Sequence, residues 1–233
     1  MRQVVLDTET TGLEVELEHR IIEIGCIEVV NRRITGRSFH RYLNPERDID
    51  VGALEVHGLT REKLAKEPRF ADIRAEFLEF VGGAELLIHN AAFDVAFVNA
   101  ELARLADGTP PIAELCRVLD TLALARQMHP GQRNSLDALC KRYSVDNSHR
   151  DYHGALLDAR LLAEVYLAMT GGQATLVLSA DTAPVRIRVD TGRSLESVPV
   201  AVVAASEDEM AAHEQVLALL DKASAGKTVW RAL

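Results

Sequence analysis

The chain has 233 residues, 48% of them apolar, with 26 Lys and Arg against 35 Asp and Glu and a net charge of −9. That length suffices for one large core or two small ones, and the composition is typical of a soluble α/β protein. The acidic balance and the lack of a long basic run exclude a tight, sequence-independent grip on nucleic acid through Lys and Arg alone.

In chain order, Arg2 to Leu6 is an apolar, β-branched run that reads as a buried strand and continues straight into Asp7-Thr8-Glu9. Arg20 to Val30 and Ile34 to Leu43, separated by Asn31-Arg32-Arg33, are predicted as two further strands, all three antiparallel and joined by hairpins. Helical periodicity predicts helices near Ala71 to Val81, Asp94 to Leu105, Thr121 to Gln127, Ser135 to Tyr143 and Gly154 to Met169. Short strands are predicted at Leu86 to His89 and Arg117 to Leu119. Strands first, then alternating helix and strand, give a mixed sheet flanked by helices.

After Gly171-Gly172 the character changes. Residues 173–197 hold Gly, Pro, Thr, Asp and Arg without sustained periodicity and read as a flexible linker, with Val185 to Val189 a candidate strand within it. Val198 to Ala204 is a second strand candidate, and Ser206 with Glu209 forms a capping box that opens a helix carrying Met210, Val216, Leu217 and Leu220. The only tryptophan, Trp230, lies near the end. Residues 198–233 are too few to bury much surface alone, so docking on a partner is expected. Cys26, Cys116 and Cys140 are widely spaced in apolar contexts and are expected to be reduced core residues. No apolar run is long enough to span a membrane and no basic-then-apolar leader opens the chain, so a cytoplasmic location is expected.

Three short motifs carry the chemistry. Asp7 and Glu9 alternate on one strand, so their carboxylates share a face and repel unless a cation lies between them, and hard oxygen ligands suit Mg²⁺ or Mn²⁺ better than zinc. Asp94 follows the apolar strand Leu86-Leu87-Ile88 and falls at a helix start, where the helix dipole favours a carboxylate. His153 precedes, and Asp158 lies just inside, the helix opened by Gly154, so a loop and a helix can present both to one cleft. Taken singly, each has a plainer explanation: a solvated strand end, a helix-start acid, an exposed histidine. Three in order, each at the end of a regular element, point to one site.

At these residues the chain resembles the DEDDh branch of the DnaQ-like 3′–5′ exonucleases, from Met1 to about Gly172. Matched motif by motif, Asp7 and Glu9 are the first acidic pair, Asp94 the second-motif acid, and His153 and Asp158 the histidine and acid of the third. The sister branch has a tyrosine four residues before the last acid, where Gly154 stands here. The resemblance implies a ribonuclease-H-like fold, two divalent ions (Mg²⁺ or Mn²⁺) held by Asp7, Glu9, Asp94 and Asp158, with Asp7 bridging them, and a DNA 3′ end as substrate. Two ions about 4 Å apart supply a nucleophile and charge stabilisation for phosphodiester hydrolysis, and a histidine titrating near neutrality, His153, is suited to accept the water's proton. Thr8, Thr10 and Leu13 match the segment that holds the terminal nucleotide through backbone groups and an apolar wedge. His57 matches a residue beside the terminal base, and Asn90 and Phe93 line the second motif; an ordinary loop or core role is as consistent with these substrate candidates.

The tail resembles that of the proofreading ε subunits of bacterial DNA polymerase III, which implies that residues 198–233 bind the polymerase α subunit. Gln173 to Leu178 is similar to peptides of the form Gln-x-x-Leu-x-(Leu/Phe) that bind the β sliding clamp, with Gln173, Leu176 and Leu178 as anchors and Leu178 where Phe is preferred. Two other functions are open at this point. One is an RNA-trimming exonuclease of the same branch, which would lack this tail; the other is a non-catalytic adaptor between clamp and polymerase, which would be expected to lose an active-site acid or the histidine.

Overall fold

The structure, a computed structural model, describes residues 1–148, 152–171 and 205–224. The chain divides into two units, Met1–Thr175 and Leu176–Leu233.

The first unit is built on a five-stranded sheet in the order β3-β2-β1-β4-β5, comprising β1 (Arg2–Thr10), β2 (Ile21–Val30), β3 (Arg33–Tyr42), β4 (Glu85–Ile88) and β5 (Arg117–Asp120). The first three strands are antiparallel, whereas β4 and β5 run parallel to β1, as predicted for a mixed sheet. Asn31 and Arg32 take φ of 49° and 63°, closing β2 and β3 with a two-residue turn whose left-handed backbone matches strand twist. The link from β1 to β2 differs from the expected hairpin. It runs through residues 11–20 and holds a 3-10 turn at Val15–Leu17.

Helices cover both faces because successive strand residues point to opposite sides. Val4 and Leu6 of β1 pack with Phe70, Phe77 and Val81 of α3 (Phe70–Val81) and with Phe97, Val98 and Leu102 of α4 (Ala91–Arg104). Val5 joins Leu139 and Cys140 of α7 (Leu136–Tyr143), Leu162, Val165 and Met169 of α8 (Ala155–Thr170), and Ala125 of α6 (Thr121–Met128). Three short helices were not foreseen: α1 (Val51–His57), α2 (Arg61–Leu64) and α5 (Ile112–Leu115). Cys26, Cys116 and Cys140 are buried thiols, as expected.

Two features of this frame place the site. β1 pairs with β4 only through Gln3, Val4 and Val5, while its other edge stays paired with β2 as far as Thr10, so a crevice opens beyond the end of β4. Ligands in open α/β sheets favour such crevices at the carboxyl ends of strands. The buried Glu101 of α4 accepts two hydrogen bonds from Arg20, at 2.7 and 2.8 Å, which fixes α4 against the start of β2.

In the second unit, α9 (Glu207–Ala223) opens with the predicted capping box, Ser206 N–H donating to Glu209 Oε2 at 2.8 Å and Glu209 N–H to Ser206 Oγ at 3.3 Å. Met210, Val216, Leu219 and Leu220 on it are exposed. The candidate strands Val185 to Val189 and Val198 to Ala204, the segment Gln173 to Leu178, and Trp230 lie outside the described residues. Among the described residues, no helix is long and apolar enough to cross a membrane.

Candidate active site

Asp7 and Glu9 extend from β1 toward the face covered by α8, and Thr8 between them points toward α4. There the Thr8 hydroxyl donates to Asp94 Oδ1 at 2.7 Å. Asp94 sits in the first turn of α4, behind Asn90, whose left-handed φ of 69° is one that asparagine tolerates. Burial raises the Asp94 carboxyl to about 7, against the lowering influence of the Thr8 bond.

From the opposite layer, α8 brings Asp158 in its first turn, and the residue immediately before its N-cap, Gly154, is His153. His153 Nδ1 lies 3.3 Å from Asp158 Oδ2. The imidazole is about half exposed, at 46%, while the Asp158 side chain is 5% exposed. Ligating atoms of Glu9, His153 and Asp158 all fall within 4.8 Å of one another.

A cavity of about 630 Å³ gathers these groups. Asp7, Glu9, Asp94, His153 and Asp158 all line it, as do Thr8, Asn90 and Phe93. Sequence reasoning missed His89, Arg126, Asn134 and Asp137 on the same wall. His89 alone stood inside a recognised motif; its ring contacts Thr121 Oγ1 at 3.1 Å and the Asn134 carbonyl at 3.0 Å, and burial lowers its pKa. The lining carries five carboxylates, those of Asp7, Glu9, Asp94, Asp137 and Asp158, against one guanidinium, that of Arg126.

Beside it lies a second cavity of about 450 Å³, lined by Thr8, Glu9, Thr10, Leu13, Val56, His57 and Phe93. Leu13 stands 80% exposed at its rim. The loop that presents Leu13 is held where Thr11 Oγ1 meets His19 Nδ1 at 2.9 Å and Asp50 N–H donates to the Thr11 carbonyl at 2.9 Å. His57 is buried, and its Nδ1 accepts from Leu59 N–H at 3.0 Å, which places the ring proton on Nε2. That Nε2 faces the Thr10 backbone without reaching hydrogen-bond geometry, and burial lowers the pKa of the ring.

The exonuclease family model (RNase_T) matches residues 4–166. The DNA polymerase III subunit epsilon of Salmonella typhimurium is 51% identical over 238 residues, covering 99% of this chain and 98% of that protein. The chain belongs to this exonuclease family. The DNA polymerase III subunit epsilon of Escherichia coli K12 is 50% identical over 238 residues, with the same 99% and 98% coverage, and that of Haemophilus influenzae is 46% identical over 242 residues, covering 98% and 94%. Among solved structures, Exonuclease X in complex with 5′ overhanging duplex DNA aligns with a TM-score of 0.58 at 24% identity, over 73% of this chain and 92% of that one. The zinc-bound Escherichia coli ExoI–ssDNA complex aligns with a TM-score of 0.65 at 18% identity, over 74% of this chain and 41% of that one. These two likenesses establish the ribonuclease-H-like exonuclease fold for residues of the first unit.

Proposed function

We propose that the chain is the proofreading subunit of a replicative DNA polymerase and removes mispaired 3′-terminal nucleotides by hydrolysing the last phosphodiester. One observation carries this reading: three motifs from separate elements converge on a cavity whose charged lining is five carboxylates against one guanidinium. A phosphodiester, itself negative, is repelled by such a wall unless cations intervene. The donor set fits hard divalent ions, since carboxylate oxygens dominate it and one of them, on Asp94, is buried at a cost that a cation would offset. Asp7, Glu9, Asp94 and Asp158 would hold two ions, Mg²⁺ or Mn²⁺. Bound there, such ions supply water activation and screen charge at phosphorus and at the leaving 3′ oxygen.

With Nδ1 turned to Asp158, His153 would take up the water's proton at Nε2, and Asp158 orients the ring for it. Thr8 anchors Asp94. In the neighbouring cavity Leu13 would wedge against the terminal base, Thr10 and Phe93 would wall it, and the His57 Nε2–H would donate to a nucleotide oxygen, the partner it lacks among the described residues. Asn90 lies on the catalytic side.

Residues 1–172 would form the catalytic domain, 173–197 a linker whose Gln173, Leu176 and Leu178 bind the β clamp, and 198–233 the element that binds the polymerase α subunit in the cytoplasm. The two other readings, RNA trimming and a non-catalytic adaptor, separate in one experiment: Mg²⁺-dependent digestion of a mispaired DNA primer and of a short RNA, with and without polymerase. Preferential removal of the mispaired DNA terminus supports proofreading. Faster RNA digestion, or activity left intact in Asp7→Ala, overturns it.

A further inference from the structure

The segment that carries His153 precedes α8, and two contacts hold it to the C-terminal turn of α1. His153 N–H donates to the Val56 carbonyl at 3.1 Å. One residue earlier, the Tyr152 ring lies over Gly58, so close that a Cβ built on that glycine would stand 3.2 to 3.4 Å from the ring carbons. Gly58 also has φ of +66°, which disfavours any other residue at the helix C-cap. Tyr152 is 61% exposed, so core packing does not explain its place.

We propose that Tyr152 is a positioning residue for His153, a latch that seats the proton-accepting imidazole by resting on the glycine at the end of α1. The inference rests on the reading of His153 as general base. It also links two functions, because the same turn of α1 contributes Val56 and His57 to the apolar cavity. The wall of the nucleotide seat and the mount of the base are thus one short piece of backbone. Removing the ring takes away one of the two contacts that hold the His153 backbone to that wall, and a displacement of the order of 1 Å in a catalytic group can cost about 100-fold in rate.

Steady-state hydrolysis of a single-stranded DNA by the full-length chain with Mg²⁺ tests the latch, using Tyr152→Ala, Tyr152→Phe, His153→Ala and the Tyr152→Ala/His153→Ala double variant. Tyr152→Ala is expected to lower kcat by roughly 10- to 100-fold with KM changed by less than about twofold, and Tyr152→Phe to restore the rate. In the His153→Ala background, Tyr152→Ala is expected to cost nothing further, since a residue acting only through another loses its effect when that other is gone. An equal loss in that background, or a loss carried by KM, would overturn the latch and make Tyr152 a substrate contact. Full activity in His153→Ala alone would overturn the latch together with the general-base reading beneath it. Thermal melts of the two Tyr152 single variants are expected to match the parent, because that ring is mostly exposed.

Discussion

Asp94 sets the balance between stability and function most sharply. Its folded-state pKa, about 7, lies above the unfolded value of about 3.9, so the folded chain binds that proton more tightly. The resulting destabilisation is absent below pH 4, grows between pH 4 and 7, and is constant above. Asp94→Asn removes it, so in chelator the variant is expected to be more stable than the parent at pH 8, by about 1 to a few kcal/mol, and nearly equal to it at pH 4. The same variant should lose Mg²⁺-dependent hydrolysis. Paired thermal melts and a nuclease assay check both halves, and a variant less stable than the parent at pH 8 would show that the carboxylate is well compensated without metal. The five residues of the three motifs were legible because each motif is local: two acids alternating on a strand, one after a strand end, a histidine and acid around a helix start. Asp137 and Asn134 were not, because nothing in Asn134-Ser135-Leu136-Asp137 separates a cavity lining from an ordinary helix cap until α7 is packed in place.

At the scale of elements, the long strands and helices were legible within a few residues because apolar periodicity is sustained there. α1 was not: Val51–His57 is only seven residues with a glycine at its second position, shorter than the 11 to 18 residues over which periodicity is informative. Nor did local pattern reveal why α8 approaches the sheet so closely. Gly25 on β2 stands opposite Asp7, and a Cβ there would fall 2.2 Å from the Ala155 carbonyl carbon and the Leu156 nitrogen. The glycine therefore sets the distance between the strand bearing Asp7 and Glu9 and the helix bearing Asp158. Gly25→Ala must push backbone aside, and overpacking of this kind typically costs about 1 to 3 kcal/mol. We expect a matching loss of stability in denaturant titration and, because Asp158 and His153 move with α8, a fall in exonuclease rate of the order of 100-fold. A variant that melts lower yet keeps its full rate would mean that the site tolerates this displacement.

For the whole molecule, the metal-ligand candidates and His153 all precede residue 172, and the tail follows it. Truncation after Gly172 should therefore leave hydrolysis of single-stranded DNA intact and abolish co-purification with the polymerase α subunit. Retained binding would move the polymerase contact into the first unit. The net charge of −9 makes attachment consequential, because a chain with little phosphate-neutralising charge gains most from a tether that raises the local concentration of primer ends. The proposed clamp-binding segment would serve the same end. If Gln173 to Leu178 docks as an extended peptide, Gln173 is its polar anchor and Leu176 and Leu178 fill an apolar pocket. Burying one leucine contributes roughly 1.5 to 3 kcal/mol, so replacing Gln173 and Leu176 with alanine should weaken clamp binding at least tenfold. Because the segment carries none of the metal-ligand candidates, the exonuclease rate on free single strands should not change. Titration of the clamp against parent and variant decides the matter: equal dissociation constants would reduce residues 173–178 to spacer, and the polymerase contact alone would then have to keep this acidic nuclease at the primer end.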